Sequence, residues 1–269
     1  MRIVSFGGGI QSTAMLVLAA QGKIKFDRFM FANVGDDSEN PGTIKYMEEV
    51  SIPYAKKHGI EIEILQSANK EGVKRTIYDE VTNKGRDIIP VRLGNGAPGN
   101  RTCTNDFKIR VLHKRLRELG ASKKTPFTQL IGISIDEIRR VRDTSGVLYA
   151  KLEYPLVDLH YSRLMCVMLI EKEGLPIPPK SSCWFCPFKK LEEWREMARE
   201  EPGLFEKAIE LETNMIERFK IRDAKNGRTE PAGFLTRAMV PLEKAIGDPN
   251  AKQLDLFCNE SCSSGYCAT

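Results

Sequence analysis

The run Arg2-Ile-Val-Ser-Phe6 is β-prone and ends in three consecutive glycines, Gly7, Gly8 and Gly9. Ile10-Gln11-Ser12 follows, and then the apolar stretch from Thr13 to Ala20. Few chain geometries accept that order. Glycine adopts positive φ and lets backbone N–H groups approach a neighbour closely. The first turn of a helix carries N–H donors that the helix itself leaves unbonded, together with a partial positive charge. A strand that turns through glycine straight into a buried helix is therefore suited to an anion. The predicted helix stops at Gln21-Gly22, where glycine fits the left-handed position after a helix.

The same alternation continues downstream. Arg28–Asn33 reads as a second strand, a polar loop leads to a helix from Gly42 to about His58, and Ile60–Leu65 alternates as a third strand. Strand–helix–strand order of this kind predicts an α/β fold, an open and mostly parallel twisted sheet with helices on both faces, Rossmann-like. Residues 66–107 read as irregular, a length that in a compact domain is usually functional or mobile. A basic helix is expected over about Phe107–Leu119, a strand at Gln129–Ser134, a helix after Pro155-Leu-Val-Asp158 running to Glu173, and helices from about Leu191 to Ala224. The expected division is a nucleotide-binding domain over 1–160 and a smaller helical, cysteine-containing region over 161–269.

With 41% apolar and 29% charged residues the chain reads as a globular protein, and no stretch approaches the roughly 18 apolar residues of a membrane span. The opening residues lack the apolar core of a signal peptide, so a cytoplasmic location and no membrane partner are expected. The net charge of +5 permits a polyanionic partner without requiring one.

Two familiar phosphate motifs do not fit the glycine turn. No Gly-x-x-x-x-Gly-Lys-Ser/Thr is present, and Asn33 stands where a dinucleotide fold places an acid at the end of its second strand. Gly7-Gly8-Gly9-Ile10-Gln11-Ser12 instead resembles the PP-loop of the ATP pyrophosphatases, Ser-Gly-Gly-x-Asp/x-Ser, with Gly7 in place of the first serine and Gln11 at the usual acidic position. Four further segments narrow the resemblance to the phosphoadenosine-phosphosulfate (PAPS) reductase-like branch, whose fold is adenine nucleotide alpha-hydrolase-like. They are Ala32-Asn33-Val34-Gly35-Asp36-Asp37, Cys103-Thr104-x-x-Phe107-Lys108-Ile109, Gly132-Ile133-Ser134-x-Asp136-Glu137-x-x-Arg140 and Ser182-Cys183-Trp184-Phe185-Cys186-Pro187-Phe188.

The resemblance implies an adenine nucleotide, ATP or alternatively PAPS or adenylyl sulfate, held by Gly7, Gly8, Gly9, Gln11, Ser12, Thr13, Asn33, Gly35 and Gly132. Ser12, Asp36, Lys108 and Arg140 are the candidates for the chemistry. Asp36 and Asp37 follow a parallel strand and are either placed to hold Mg²⁺ between phosphates or solvated loop acids. Lys108 and Arg140 are cations for phosphate or sulfate, or alternatively members of a surface ion pair with Asp136 or Glu137.

Seven cysteines in a reducing compartment argue against a disulfide framework. Cys183-x-x-Cys186 reads as a metal or cluster half-site, as a redox pair or as two buried apolar side chains. For a metal, Cys103 is the leading third ligand, with Cys166 competing against Cys258, Cys262 and Cys267 for the fourth. The resemblance implies a [4Fe–4S] cluster, with Zn²⁺ as the alternative.

The expected reaction is attack at the α-phosphorus with release of pyrophosphate, coupled to sulfur transfer or to modification of a nucleobase or nucleic acid. A sulfur carrier or a nucleic acid would then be the partner. A PAPS or adenylyl-sulfate reductase that releases sulfite, and a module that binds nucleotide or nucleic acid without catalysis, are the alternatives.

Overall fold

The computed structural model describes residues 1–227 and 230–247. Cys258, Cys262 and Cys267 lie outside the described residues. In chain order the elements are β1 (Arg2–Phe6), α1 (Ile10–Ala20), β2 (Arg28–Asn33), α2 (Pro41–Tyr46), α3 (Ile52–Lys57), β3 (Ile62–Gln66), α4 (Ile77–Thr82), α5 (Thr102–Thr104), α6 (Arg110–Glu118), β4 (Phe127–Ile131), β5 (Ala150–Glu153), α7 (Pro155–Asp158), α8 (Arg163–Lys172), α9 (Leu191–Glu200), α10 (Pro202–Lys225) and α11 (Leu242–Gly247). π-Helical turns at Met47–Ser51 and Asn105–Ile109 join α2 to α3 and lead into α6, and a 3-10 turn spans Ile135–Arg140.

The chain forms two compact units. Among the described residues Met1–Arg75 with Thr104–Ser182 makes the first, and Thr76–Cys103 with residues 183–247 makes the second. The segment from 161 to 182, including α8, belongs to the first unit, and residues 76–103 belong to the second.

The first unit holds a five-stranded sheet in the order β3-β2-β1-β4-β5, with every pairing parallel. Val4 sits between Phe29 of β2 and Leu130 of β4. Side chains of a strand point alternately to the two faces, and β2 buries both sets. Phe29 and Phe31 join the cluster formed with α1, α3 and α8, while Met30 and Ala32 join Leu112 and Leu116 of α6 on the other face. This double burial explains why β2 is apolar from Phe29 to Ala32, as parallel strands covered on both faces are. The same logic makes α1 apolar on every side from Ala14 onward. Its residues from Gln11 to Ala19 are all buried, as expected for a helix enclosed by sheet and neighbouring helices.

The fold expectation holds: the sheet is parallel and helices cover both faces. Among the elements not anticipated are β5 and α4. β5 is a four-residue edge strand that pairs only with β4. α4 interrupts the stretch expected to be irregular, and Thr76 caps it by accepting the Asp79 N–H at 3.1 Å.

The second unit packs α9, α10 and α11 with α4 and the Cys183–Cys186 turn. Trp184, Phe185, Trp194 and Phe205 are buried there, and Tyr78 lies against Trp184 and Phe185 at 5.5 and 5.8 Å. The glycine-rich stretch is pinned rather than loose: Leu93 N–H donates to the Ala97 carbonyl at 2.9 Å, Gly99 N–H to Val91 at 2.8 Å and Gly233 N–H to Arg92 at 2.7 Å. Among the described residues no helix is long and apolar enough to cross a membrane.

Candidate functional site

Strand order decides where a ligand can enter the first unit. From β1 the chain winds outward through β2 and β3, and then returns to β4 on the other side of β1. Loops leaving the carboxyl ends of β1 and β4 therefore diverge and open a crevice, the switch point at which open α/β sheets bind ligands. The loop after β1 is Gly7-Gly8-Gly9, and the loop after β4 begins with Gly132.

Both loops need glycine for identifiable reasons. Gly8 has φ +73°, and a Cβ there would stand 3.0 Å from Thr43 Cγ2. At Gly132 a Cβ would meet Met15 Sδ at 3.1 Å, the Gln11 carbonyl carbon at 3.3 Å and the Ser12 nitrogen at 3.3 Å. The end of β4 thus lies directly against the first turn of α1.

Gly9 is the N-cap of α1 in an extended conformation. With no side chain of its own, it is capped from within the helix. Ser12 Oγ accepts the Gly9 N–H at 3.0 Å and donates to the Gly9 carbonyl at 2.9 Å. Ser12 is buried, so its hydroxyl is committed to the shape of the turn. The Thr13 N–H closes the first helical bond onto Gly9 at 2.9 Å. The amides of Ile10, Gln11 and Ser12 come before any intrahelical acceptor, as the first amides of every helix do. Two buried hydroxyls nearby, Thr13 Oγ1 and Thr43 Oγ1, make no hydrogen bond. Such groups are costly unless water or a ligand completes them.

A polar network joins the glycine turn to the loop after β4. Gln11 Nε2 donates to Glu137 Oε2 at 3.1 Å, and Arg140 Nη1 donates to Glu137 Oε1 at 2.6 Å. Arg163 Nη1 donates to Gln11 Oε1 at 3.1 Å, and the Arg163 N–H donates to Asp136 Oδ2, which the Ser134 hydroxyl also reaches at 3.4 Å. Gln11 amide chemistry suits this place. An acid in its position would accept from Arg163 but would face the Glu137 carboxylate. Arg140 is almost wholly buried, so its ion pair with Glu137 fixes a guanidinium beside the crevice.

Arg163 went unrecognised in the sequence. One signal was available: it occupies the first position of α8, after the Ser162 cap, where a cation opposes the helix dipole. Thr43 carried no comparable signal.

The end of β2 contributes acids. The Gly35 N–H donates to Asn33 Oδ1 at 2.9 Å, and Asn33 Nδ2 donates to Asp36 Oδ1 at 2.7 Å. Asn33 thus braces a turn in which Gly35 has φ +117°. Asp36 and Asp37 are exposed, and Ser38 donates to Asp37 Oδ1 at 2.8 Å. Mg²⁺ commonly takes one or two protein carboxylates and completes its shell with phosphate oxygens and water, which this pair fits. Lys108 is buried in the π-helical turn before α6, next to Phe107, whose ring lies 5.1 Å from the Arg75 guanidinium.

The described cysteines divide between the two units. Cys166 is fully buried in the apolar cluster with Leu16, Leu169 and Ile170, and burial pushes its thiol up to about 12. A protonated core thiol is a poor ligand, and Cys166 belongs to the first unit whereas Cys103, Cys183 and Cys186 belong to the second. Cys183 and Cys186 are half-buried on a turn closed by the Cys186 N–H to the Cys183 carbonyl at 3.1 Å. Among the described residues no three His, Cys, Asp or Glu side chains gather as a metal-holding group. Cys103, Cys183 and Cys186 all lie in the second unit, and the tail cysteines lie outside the described residues.

No family model matches the sequence, and no curated protein does. Among solved structures, the U34-tRNA thiolase NcsA from Methanococcus maripaludis with its [4Fe-4S] cluster is similar over 77% of this chain and 68% of its own, at 14% identity and a TM-score of 0.42. At that level neither a residue's role nor an activity transfers.

Proposed function

We propose that the first unit binds ATP or a related adenine nucleotide at the β1–β4 switch point and cleaves it at the α-phosphate. The supporting observation is the close approach of Gly132 to the first turn of α1. It places a side-chain-free backbone on either side of helical amides that the helix leaves to other acceptors. Anionic phosphate satisfies those donors and is favoured by the dipole of α1.

In this reading an oxygen of the acceptor attacks the α-phosphorus and the bond to pyrophosphate breaks. The acceptor becomes adenylated, and a sulfur nucleophile then displaces AMP. The Ile10, Gln11 and Ser12 amides stabilise charge on the leaving pyrophosphate. Arg140, held by Glu137, and Lys108 supply positive charge. Mg²⁺ on Asp36 and Asp37 neutralises phosphate charge when bound. Ser12 acts by holding the Gly9 turn in shape, and Gln11 by tying that turn to Glu137 and Arg163. The acceptor is a nucleobase, a nucleic acid or a sulfur carrier, and no step passes through a metal on the cysteines.

The test is pyrophosphate release from ATP and Mg²⁺ by the full chain, with Ser12→Ala and Arg140→Met alongside. Both variants are expected to weaken ATP binding or turnover at least tenfold. ATP binding without pyrophosphate release, in the presence of RNA, DNA and persulfide donors, would favour a binding module. Sulfite release from PAPS with a thiol would make the chain a reductase. Unchanged ATP affinity in Ser12→Ala would remove the phosphates from this turn.

A further inference from the structure

Arg222, in the last turn of α10, is held from three sides. Its Nη1 donates to Asp87 Oδ2 at 2.7 Å, and its Nε donates to Asp223 Oδ1 at 3.0 Å. Its guanidinium carbon lies 4.0 Å from the centroid of the Phe219 ring. That ring is buried, so the core backs it. Asp87 is anchored in turn, with Arg218 Nη2 at 3.7 Å from its Oδ1. The Arg222 side chain is still 40% exposed, so a solute can reach it. It lines a cavity of about 300 Å³ in the second unit, at the lower end of the range for small-molecule sites. Ile89, Val91 and Phe219 make much of the lining apolar, and Asn100 adds a carboxamide. Asn100 is exposed, and its amide has no hydrogen-bond partner among the described residues. The backbone around the cavity is fixed: the Val91 N–H donates to the Ile89 carbonyl at 2.9 Å, and the Gly99 N–H to the Val91 carbonyl at 2.8 Å.

We propose that this cavity receives a nucleobase, stacked on the face of the Arg222 guanidinium that Phe219 leaves uncovered and read along its edge by Asn100. A guanidinium whose edges bond to carboxylates keeps its flat faces for aromatic planes. Proteins hold unpaired bases in this way, stacked on aromatic rings or guanidinium planes and hydrogen-bonded along an edge. A carboxamide carries a donor and an acceptor side by side, which matches the amino group and ring nitrogen of cytosine or adenine. Asp87 and Asp223 offset the charge of Arg222, so a bare phosphate gains little here. An uncharged flat ring gains contact with both the guanidinium and the apolar lining. The base belongs either to a nucleic-acid strand or to a free nucleoside. The site lies wholly in the second unit and does not depend on the nucleotide reading of the first.

The full chain is titrated with cytidine, followed by saturation-transfer NMR, and separately with a fluorescent single-stranded oligodeoxycytidine, followed by anisotropy. An abasic strand of the same length keeps the phosphates and removes the bases. Arg222→Lys keeps the charge without the plane, and Asn100→Ala removes the carboxamide. If the base comes from a strand, Arg222→Lys weakens the oligonucleotide about tenfold, within what one stacked base contributes. Asn100→Ala weakens it about fivefold, the size of one hydrogen bond, and the abasic strand binds wild type and variants alike. If the base comes from a free nucleoside, the same losses appear with cytidine alone. Should Arg222→Lys fail to fold, Asn100→Ala decides alone. Affinity for both probes unchanged in a folded Asn100→Ala, or no binding of either probe by the wild type, overturns the proposal. So does an abasic strand bound as tightly as the intact one when cytidine does not bind.

Discussion

Replacing Gly132 with alanine tests the contact on which the crevice is built. The added methyl would lie 3.1 Å from Met15 Sδ and 3.3 Å from the backbone of Gln11 and Ser12. Comfortable carbon contacts begin near roughly 3.5 Å, so something must give by a few tenths of an ångström. Met15 can change rotamer. The first turn of α1 cannot move alone, because Ser12 and Thr13 are both bonded to Gly9. Overpacking of this kind costs roughly 1–3 kcal/mol, and the displaced amides should lose about tenfold in ATP affinity, or about 1.4 kcal/mol. Gly22→Ala is the control. Gly22 has φ +70°, and a methyl added there would meet nothing within 4 Å, so the variant suffers only the left-handed backbone strain of about 1–2 kcal/mol. Urea unfolding measures the two stabilities, and calorimetric titration with ATP measures binding. Gly132→Ala should lose both stability and affinity, and Gly22→Ala stability alone. If Gly132→Ala binds ATP like the wild type while losing as much stability as the control, the first turn of α1 is not where the phosphates sit.

Three other perturbations have expected outcomes. Glu137→Ala leaves the buried Arg140 without its carboxylate and should cost roughly 3 kcal/mol; a double-mutant cycle with Arg140→Met should show coupling above about 1 kcal/mol, and simple additivity would discount the pair. Glu212 on α10 accepts the N–H groups of Leu235 and Leu242, yet burial pushes its carboxyl up to about 7. The fold therefore keeps a proton that the unfolded chain has already released, so this group's contribution to stability falls by about 3 kcal/mol as pH rises from about 4.5 to 7. Glu212→Gln should gain on the wild type by that amount across the same window in urea titrations, and parallel profiles would refute the assignment. Cys166, with its thiol raised by burial, should resist iodoacetamide at about pH 8 in the native protein and react after denaturation. Native labelling of Cys166 as fast as that of an unfolded thiol, read by mass spectrometry, would place it outside the core.

Local chemistry was legible in the sequence wherever neighbours along the chain settle it. The β1–Gly–α1 passage, the doubly buried β2 and the long helix after Gly42 all follow from glycine placement and apolar runs. β5 escaped because a four-residue edge strand with an exposed Lys151 carries little pattern of its own; its pairing with β4 defines it. Cys166 and Cys183 look alike in a sequence, since a thiol is both a small apolar group and a ligand. Packing separates them.

The sequence by itself determined that strands would alternate with helices and that a glycine turn would open a buried helix. Tertiary structure alone decided that β4, and not β2 or β3, returns beside β1 on its free edge. That choice brings Gly132 to α1, sets Glu137 between Gln11 and Arg140, and aligns Arg163 with Gln11. Residues far apart in the chain meet because parallel strands share one carboxyl edge, and spacing along a chain does not encode which strands become neighbours.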